Sequence, residues 1–213
     1  MALGGATHRE LSPTLKSLWQ KGCNFLVEAT LPDEAHTLAG APATVWTVVT
    51  MGFAAGDELK LDFEFRQIAK TATRLPEALF VQFRPAVPSD GWGLEMFNTS
   101  EIVLDPTDVM PSPGGSGGAP HTRCVSGVRW DGLAGGLHLS SEDVPCIASG
   151  KPTPFPTPRN VAPDMSYGVS YNVYNNIWNT NYVLWYPFDE ADADLKSRFT
   201  LRLRSPQDDD DAC

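Results

Sequence analysis

The segment richest in potential binding chemistry lies at residues 167–188, YGVSYNVYNNIWNTNYVLWYPF. It combines five Tyr, two Trp and one Phe with five Asn. Aromatic rings can stack on the apolar C–H face of a pyranose, and Asn can both donate to and accept from sugar hydroxyls. The same composition also fits a sandwich core whose Asn residues satisfy turn backbone, and composition alone favours that alternative.

A second candidate lies at residues 73–83, TRLPEALFVQF, where Arg74 and Glu77 flank a proline. These two side chains could hold a substrate, or could fix a neighbouring domain through a bidentate pair. They could also form a structural ion pair where a loop enters a strand. The local sequence favours the structural ion pair.

Other patterns of acids, bases and nucleophiles are weaker. Glu142 and Asp143 are adjacent, and adjacent side chains on a strand point to opposite faces, so we expect turn acids rather than an acid–base pair. His138 is expected to be structural. The sequence has no GxSxG and no Walker A pattern, and the GGSGG run at 114–118 is expected to be a linker-like loop.

Metal-binding and redox patterns are also missing. The four histidines are scattered, and none belongs to an HxD or HExxH pattern, so no metal ligands and no cofactor are predicted for this chain. The four cysteines form no CxxC pair, which favours free thiols in a reducing compartment.

Charge and hydropathy exclude two classes of partner. The chain has 213 residues and a net charge of -10, with 16 Lys and Arg against 26 Asp and Glu. It lacks the basic cluster of a nucleic-acid binder and an apolar run of the roughly 18 to 20 residues that span a membrane. No secretory signal is visible at the N-terminus, so the location is open, with the cytoplasm slightly favoured.

The elements that must position these residues are predicted to be short strands. Apolar and polar residues alternate over 58–66 and over 198–204, which is typical of half-buried strands. Further strands are predicted at 45–51, 79–83, 94–97, 125–130, 137–141, 146–149, 170–175 and 182–186. With 18 Gly and 18 Pro in the connections, the pattern predicts an all-β fold with minor α content, an antiparallel β-sandwich.

One short helix is predicted near the N-terminus. Ser12-Pro13 suits a helix start, Leu15 and Leu18 recur at helical spacing, and Gly22 suits the end. The predicted organisation is a leading helix and connector at 1–39, a β-sandwich domain at 40–204 and a disordered acidic tail at 205–213. Irregular loops are expected at 111–120 and 151–164.

The order of several segments resembles a known family. These segments are TRLPEALF, LDPTDV, CVSGVRW, HLSSEDVPCIASGKPTPFPTP and YNVYNNIWNTNYVLWYPF. Together they are similar to the C-terminal β-region of proteins related to glycoside hydrolase family 38, the α-mannosidases. More narrowly, they resemble an uncharacterised-domain family in which a mannosidase-like barrel precedes this region. The resemblance covers most of residues 40–204, and NNIWNTNY is its most specific part.

The resemblance implies a galactose-mutarotase-like supersandwich that packs on the barrel and lends residues to the rim of the sugar site. The catalytic residues and the zinc of the family belong to the barrel, which has no counterpart in this sequence. By motif match, the candidate substrate-binding residues are Arg74, Glu77, Asn175, Asn176, Trp178, Asn179 and Asn181. Each could instead pack at the interface with the barrel, and both roles stay open.

The favoured function is a C-terminal β-domain, in a fragment or truncated form, of an α-mannosidase-like glycoside hydrolase. Its expected role is structural and sugar-site-supporting, and the chain is expected to be inactive alone. The alternatives are a free-standing carbohydrate-binding module and a non-catalytic partner of a separate barrel chain. An independent enzyme that uses distant carboxylates, such as Glu77 and Asp131, is least favoured. Expected partners are a carbohydrate and a mannosidase-like barrel domain or chain.

Overall fold

A computed structural model describes residues 9–55, 58–73, 75–96, 103–104, 123–133, 135–152, 163–176 and 193–205. The strands within these residues are β1 (Thr14–Lys21), β2 (Asn24–Thr30), β3 (Thr44–Phe53), β4 (Leu59–Ile68), β5 (Glu77–Phe83), β6 (Trp92–Met96), β7 (Val103–Leu104), β8 (Arg123–Gly132), β9 (Gly135–Ser141), β10 (Cys146–Ser149), β11 (Val169–Asn176) and β12 (Leu195–Arg204). Helix α1 (Asp33–Ala39) follows β2, and a 3-10 turn (Met165–Tyr167) precedes β11. The prediction of an all-β fold with minor helix content is confirmed.

The helix predicted from Ser12 is wrong, because this segment forms strand β1. β1 pairs antiparallel with β2, and Lys21 lies opposite Asn24 across a tight turn. Gly22 adopts a φ of 60° in that turn, so it ends a strand rather than a helix. The register shifts between Leu15 and Ser17. Because of this shift, Leu15 and Leu18 lie on the same face of β1 although they are separated by a spacing typical of a helix. The helix that does form is α1, which ends at Gly40.

The strands form two layers that share β8. The larger layer runs in the order β1-β2-β3-β4-β12-β9-β8, with β6 and β7 beyond β8. The smaller layer contains β10, β11 and β5. β10 pairs with the beginning of β8, at Arg123 and Cys124, whereas the rest of β8 pairs with β9 and β6. The sheet therefore folds over on itself and forms an antiparallel sandwich.

Cross-strand register assigns each residue of the larger layer to one of two faces, since directly paired residues share a face. Phe63 on β4 pairs with Val49 on β3 and with Phe199 on β12. The rings of Phe63 and Phe199 contact the smaller layer, where the ring centroid of Phe83 lies 5.4 Å from the centroid of each. We call this side the inner face and the opposite side the outer face.

The core lies between the two layers and is built from aromatic and aliphatic side chains. Tyr171 of β11 is 1% exposed, and its ring packs 5.1 Å from that of Phe199. Its hydroxyl donates a hydrogen bond to the Leu139 carbonyl oxygen, which satisfies the buried polar end of the side chain. Burial raises the pKa of Tyr171 because the phenolate would lie in an apolar core.

The inner face continues onto β1, β2 and β3, where several large apolar side chains are exposed. Leu15 and Leu18 of β1 are 60% and 58% exposed, and Phe53 of β3 is 76% exposed. Met51 of β3 is 39% exposed and pairs with the inner-face residue Leu61. We call these four residues, Leu15, Leu18, Met51 and Phe53, the open apolar face.

Several predicted features fall outside the described residues. They are the strand at 182–186, the loop at 111–120, most of the loop at 151–164 and the tail beyond Ser205. The other predicted strands are observed, and 146–149 has the predicted bounds. β1 and β2 join the same sheet as β3, so the segment 1–39 contributes strands to the sandwich.

Candidate functional site

Two of the candidate site residues meet where β5 begins and β11 ends. Glu77 and Asn176 are directly paired in the antiparallel register of these strands. The Asn176 Nδ2 donates a hydrogen bond of 2.9 Å to Oε1 of Glu77, and the Thr73 hydroxyl donates one of 3.2 Å to the same oxygen. The structure therefore unites residues that lie 99 positions apart in the sequence.

The centre of this group is Lys70, which no sequence motif indicates. Its ammonium lies 2.6 Å from Oε1 of Glu77. It also donates to the carbonyl oxygens of Gly40 at 2.9 Å and Thr71 at 2.8 Å. An ammonium has three N–H donors, so these three acceptors satisfy it fully. We call Lys70, Thr73, Glu77 and Asn176 the Lys70 cluster.

Burial dominates the electrostatics of the Lys70 cluster. Lys70 is 1% exposed, and the Tyr174 ring lies beside its ammonium, 5.3 Å from Nζ to the ring centroid. Desolvation lowers the pKa of Lys70, and contact with the Glu77 carboxylate partly opposes this effect. The Glu77 side chain is 16% exposed, so the cluster reaches the surface through its carboxylate.

The backbone around Lys70 is held in place by neighbouring elements. Ala69 adopts a φ of 57°, and its N–H donates to Oδ1 of Asp194. The N–H of Lys70 donates to the Ala193 carbonyl oxygen, and that of Thr71 donates to the Gly40 carbonyl oxygen. The segment after β4 is thereby fixed between the end of α1 and the start of β12.

Glu77 is held at the start of β5 by the side chains around it. Its Oε1 accepts hydrogen bonds from Lys70, Thr73 and Asn176. The carboxylate is thus suited to fix the beginning of β5 or to accept a hydrogen bond from a ligand.

Asn175 is the one other candidate residue within the part of the chain that the structure describes. Asn175 lies one residue before Asn176 on β11, and neighbouring strand residues point to opposite faces. It is paired with Ala78. Arg74, Trp178, Asn179 and Asn181 lie outside the described residues.

The acidic residues considered as alternatives are held by separate basic partners. Asp143 forms a bidentate pair with Arg198, with N···O distances of 2.9 and 2.7 Å, and this contact lowers the pKa of Asp143. Glu142 also lies 3.2 Å from Arg198. This supports turn acids at this position. Asp131 accepts a hydrogen bond from Arg204 on the outer face, and within the described ranges it shares no partner with Glu77.

His138 and Glu95 form a pair on the outer face, with 3.0 Å between Nε2 and Oε2. Gly127 lies beneath both groups: a Cβ there would stand 2.6 Å from Nε2 of His138 and 2.9 Å from Oε2 of Glu95. The lack of a side chain at residue 127 is thus what lets the carboxylate reach the imidazole. Sequence spacing could not show this pair, since its members are 43 residues apart.

A cleft of about 350 Å³ opens between the two layers. Its lining is mainly apolar and includes Phe63, Phe83, Trp92 and Phe199. Trp92 is buried, and its Nε1 has no hydrogen-bond partner among the residues that the structure describes. The cleft is lined by other residues than the Lys70 cluster, and its lining is mainly apolar whereas the cluster is polar.

Two further properties concern metals and membranes. Across the ranges given above, no three His, Cys, Asp or Glu side chains come together in an arrangement that could hold a metal ion. The helices within those ranges include none that is long and apolar enough to cross a membrane.

Sequence patterns could not have identified Lys70. It lies in an ordinary AKTAT stretch, and its significance comes only from the approach of α1, β5 and β11. Glu77 stands out in the local sequence beside a proline, and the resemblance of its segment to a family adds Asn176. No match to this chain was found among protein-family models or among curated proteins.

Proposed function

We propose that the chain is the C-terminal β-domain of an α-mannosidase-like glycoside hydrolase. In this role it packs against a catalytic barrel and supports the rim of the sugar site without catalysing a reaction itself. The motif order supports the proposal, from TRLPEALF at the start of β5 to YNVYNN on β11. A β-sandwich is also the fold that the resemblance implies.

The observation that carries the proposal is the open apolar face. Leu15, Leu18 and Phe53 are more than half exposed on one side of three adjacent strands. Large exposed apolar surfaces are uncommon on monomeric proteins and usually mark interaction sites. A barrel seated on the inner face of β1–β3 would cover these side chains.

The Lys70 cluster supports the second part of the proposal, the rim of the sugar site. Its carboxylate is accessible at the surface, and its position is fixed by three hydrogen bonds to Oε1. A positioned acceptor of this kind can receive a hydrogen bond from a sugar hydroxyl. In our proposal Glu77 and Asn176 are positioning residues, and the reacting groups come from the barrel.

The transcript that encodes this chain provides the most direct test. We expect the sequence upstream of Met1 to encode a barrel in frame, or a separate gene to encode a barrel that binds this chain. Full-length transcript sequencing tests the first form, and co-purification of the two purified chains tests the second. Failure of both would contradict the proposal.

An activity assay tests the claim that the chain is inactive alone. The purified chain is incubated with aryl α-mannosides and added zinc, and release of the aryl group is followed by absorbance. We expect no turnover, because in our proposal the reacting groups come from the barrel. Turnover that survives repurification and is abolished by Glu77→Gln would assign catalysis to this chain instead.

A free-standing carbohydrate-binding module remains the alternative, and it requires exposed aromatic rings. In residues 167–176, Tyr171 is buried and the Tyr174 ring lies beside Lys70. The Tyr167 ring lies 5.0 Å from the Arg84 guanidinium. Titration with mannosides, followed by Trp fluorescence, would favour this alternative if it gave saturable binding in the absence of a barrel.

A further inference from the structure

Four basic side chains lie side by side on the outer face of the larger layer. Arg129 of β8 is paired directly with His138 of β9. Arg202 of β12 is paired with His138 on one side and with Lys60 of β4 on the other. Directly paired residues share a face, and neighbouring strands lie about 4.8 Å apart. The four side chains therefore form one row across four strands, which we call the basic row.

The basic row needs an explanation, because like charges placed directly opposite one another destabilise a sheet. It also contrasts with the net charge of -10 of the whole chain. Three of its members have an acidic neighbour: Arg129 has Asp131 at 3.3 Å, Lys60 has Asp62 at 2.8 Å and His138 has Glu95 at 3.0 Å. These contacts offset part of the repulsion.

Arg202 is the exception. It is exposed, and within residues 9–205, apart from the undescribed gaps, no carboxylate lies within ion-pair distance of its guanidinium. The charge of Arg202 nevertheless affects the neighbouring Asp62 carboxylate. Burial would raise the pKa of Asp62, but hydrogen bonds from Lys60 and Thr200 and the charges of Lys60 and Arg202 hold that pKa below its ordinary range. Arg202 is thus a guanidinium available to an incoming anion.

The neighbouring row of the sheet supplies hydroxyl groups and space. Ser140 of β9 is paired with Thr200 of β12, two residues along the strands from His138 and Arg202. The next partner of Ser140 is Gly127, which carries no side chain. Glu95 extends over Gly127. A ligand above Arg202 would therefore meet hydroxyl and carboxylate groups that can bond to its own hydroxyls.

We propose that the basic row binds a carbohydrate chain that carries carboxylate groups, a uronate oligosaccharide. Arg202 receives the carboxylate in bidentate geometry, and the side chains of His138 and Arg129 continue the row along the ligand. The hydroxyls of the sugar ring bond to Ser140 and Glu95. This inference concerns the outer face and stands apart from the mannosidase-like role of the chain.

The carboxylates that flank the basic row argue against a densely charged ligand. Glu95, Asp62 and Asp131 lie beside the row, and they would repel a polymer that carries a charge on every unit without intervening hydroxyls. In a uronate oligosaccharide, hydroxyl groups lie between the carboxylates. These hydroxyls can donate hydrogen bonds to the carboxylates of Glu95, Asp62 and Asp131. Charge pattern therefore favours an acidic sugar over an acidic peptide.

The test is calorimetric titration of the full chain with a panel of uronate hexasaccharides built from galacturonate, mannuronate or glucuronate. The methyl ester of each hexasaccharide is the neutral ligand control, and hexaglutamate is the peptide control. We expect saturable binding of at least one uronate, at least roughly tenfold tighter than its ester. Arg202→Ala should weaken that binding by roughly tenfold or more.

Arg66→Ala is the matched control variant. Arg66 is exposed on the outer face and pairs with Glu64, and its removal changes the net charge by the same amount as loss of Arg202. We expect its affinity to stay within about twofold of the unaltered chain. Three results would overturn the proposal: no uronate binds, the ester or hexaglutamate binds equally well, or Arg66→Ala weakens binding as much as Arg202→Ala.

Discussion

Lys70 shows how a single residue can connect elements that are far apart in the sequence. Its ammonium joins the end of α1, through Gly40, to the start of β5, through Glu77. A charge in this position is tolerated because each of its donors has an acceptor. The arrangement makes the cluster sensitive to the loss of either charged partner.

We predict that Glu77→Gln lowers the free energy of unfolding by about 3 kcal/mol, because it leaves a buried ammonium without its counter-ion. Lys70→Met should destabilise the chain less, since it removes the buried charge and leaves Glu77 partly accessible to water. Urea denaturation followed by Trp fluorescence measures both effects.

Glu64→Gln is the control for this prediction. Glu64 also contacts basic groups, Arg66 and Lys196, but its pairs lie on the exposed outer face. Exposed pairs contribute about 0 to 1 kcal/mol. The interpretation of the Lys70 cluster would be wrong if Glu64→Gln and Glu77→Gln cost the same.

At the scale of single elements, alternation in the sequence correctly placed two central strands of the larger layer. β4 and β12 were predicted from their apolar residues, and Phe63 and Phe199 do meet on the inner face. β1 was missed because a register shift after Leu15 disturbs its alternation. A local pattern cannot show such a shift, because it depends on pairing with β2.

The turn before β11 requires a glycine at residue 168. Gly168 adopts a φ of 67°, and a Cβ there would lie 2.1 Å from the Phe83 carbonyl oxygen. We predict that Gly168→Ala lowers the free energy of unfolding by at least about 2 kcal/mol, since both the backbone conformation and the contact with β5 are strained. Urea denaturation provides the measurement.

Gly52→Ala is the companion change. Gly52 lies in β3, and a Cβ there would meet nothing within 4 Å. We expect unchanged stability or a gain of about 0.5 kcal/mol, because glycine is a poor strand residue. Equal destabilisation by the two variants would show that close approach at Gly168 is not the cause.

At the scale of the whole molecule, the two layers leave the open apolar face exposed. We predict that the isolated chain self-associates as its concentration rises, because burial of Leu15, Leu18 and Phe53 is favourable. Triple replacement of these residues by Thr should shift the chain toward the monomer. Sedimentation velocity over a concentration series measures the change.

Leu133→Thr is the control for self-association. Leu133 is fully exposed in the turn between β8 and β9, away from the open apolar face. Its replacement should leave the sedimentation profile unchanged. A strictly monomeric chain at high concentration would contradict both this prediction and the role of the face as an interface.

The candidate site was predictable only in part. The local sequence indicated Glu77 and the resemblance added Asn176, and antiparallel pairing of β5 with β11 brings them together. Neither Lys70 nor the basic row could be predicted, because both arise where segments far apart in the sequence become neighbours. Residue types were available from the sequence, but the strand order that assembles them was not.

The position of β12 has a consequence for how the chain folds during synthesis. Although β12 is the last strand described, it lies in the middle of the larger layer, between β4 and β9. A ribosome therefore releases β4 and β9 long before their common neighbour exists. Both edges stay open to other chains during that interval, since unpaired strands invite aggregation. We therefore expect β4 and β9 to be the strands most prone to mispairing until β12 has been synthesised.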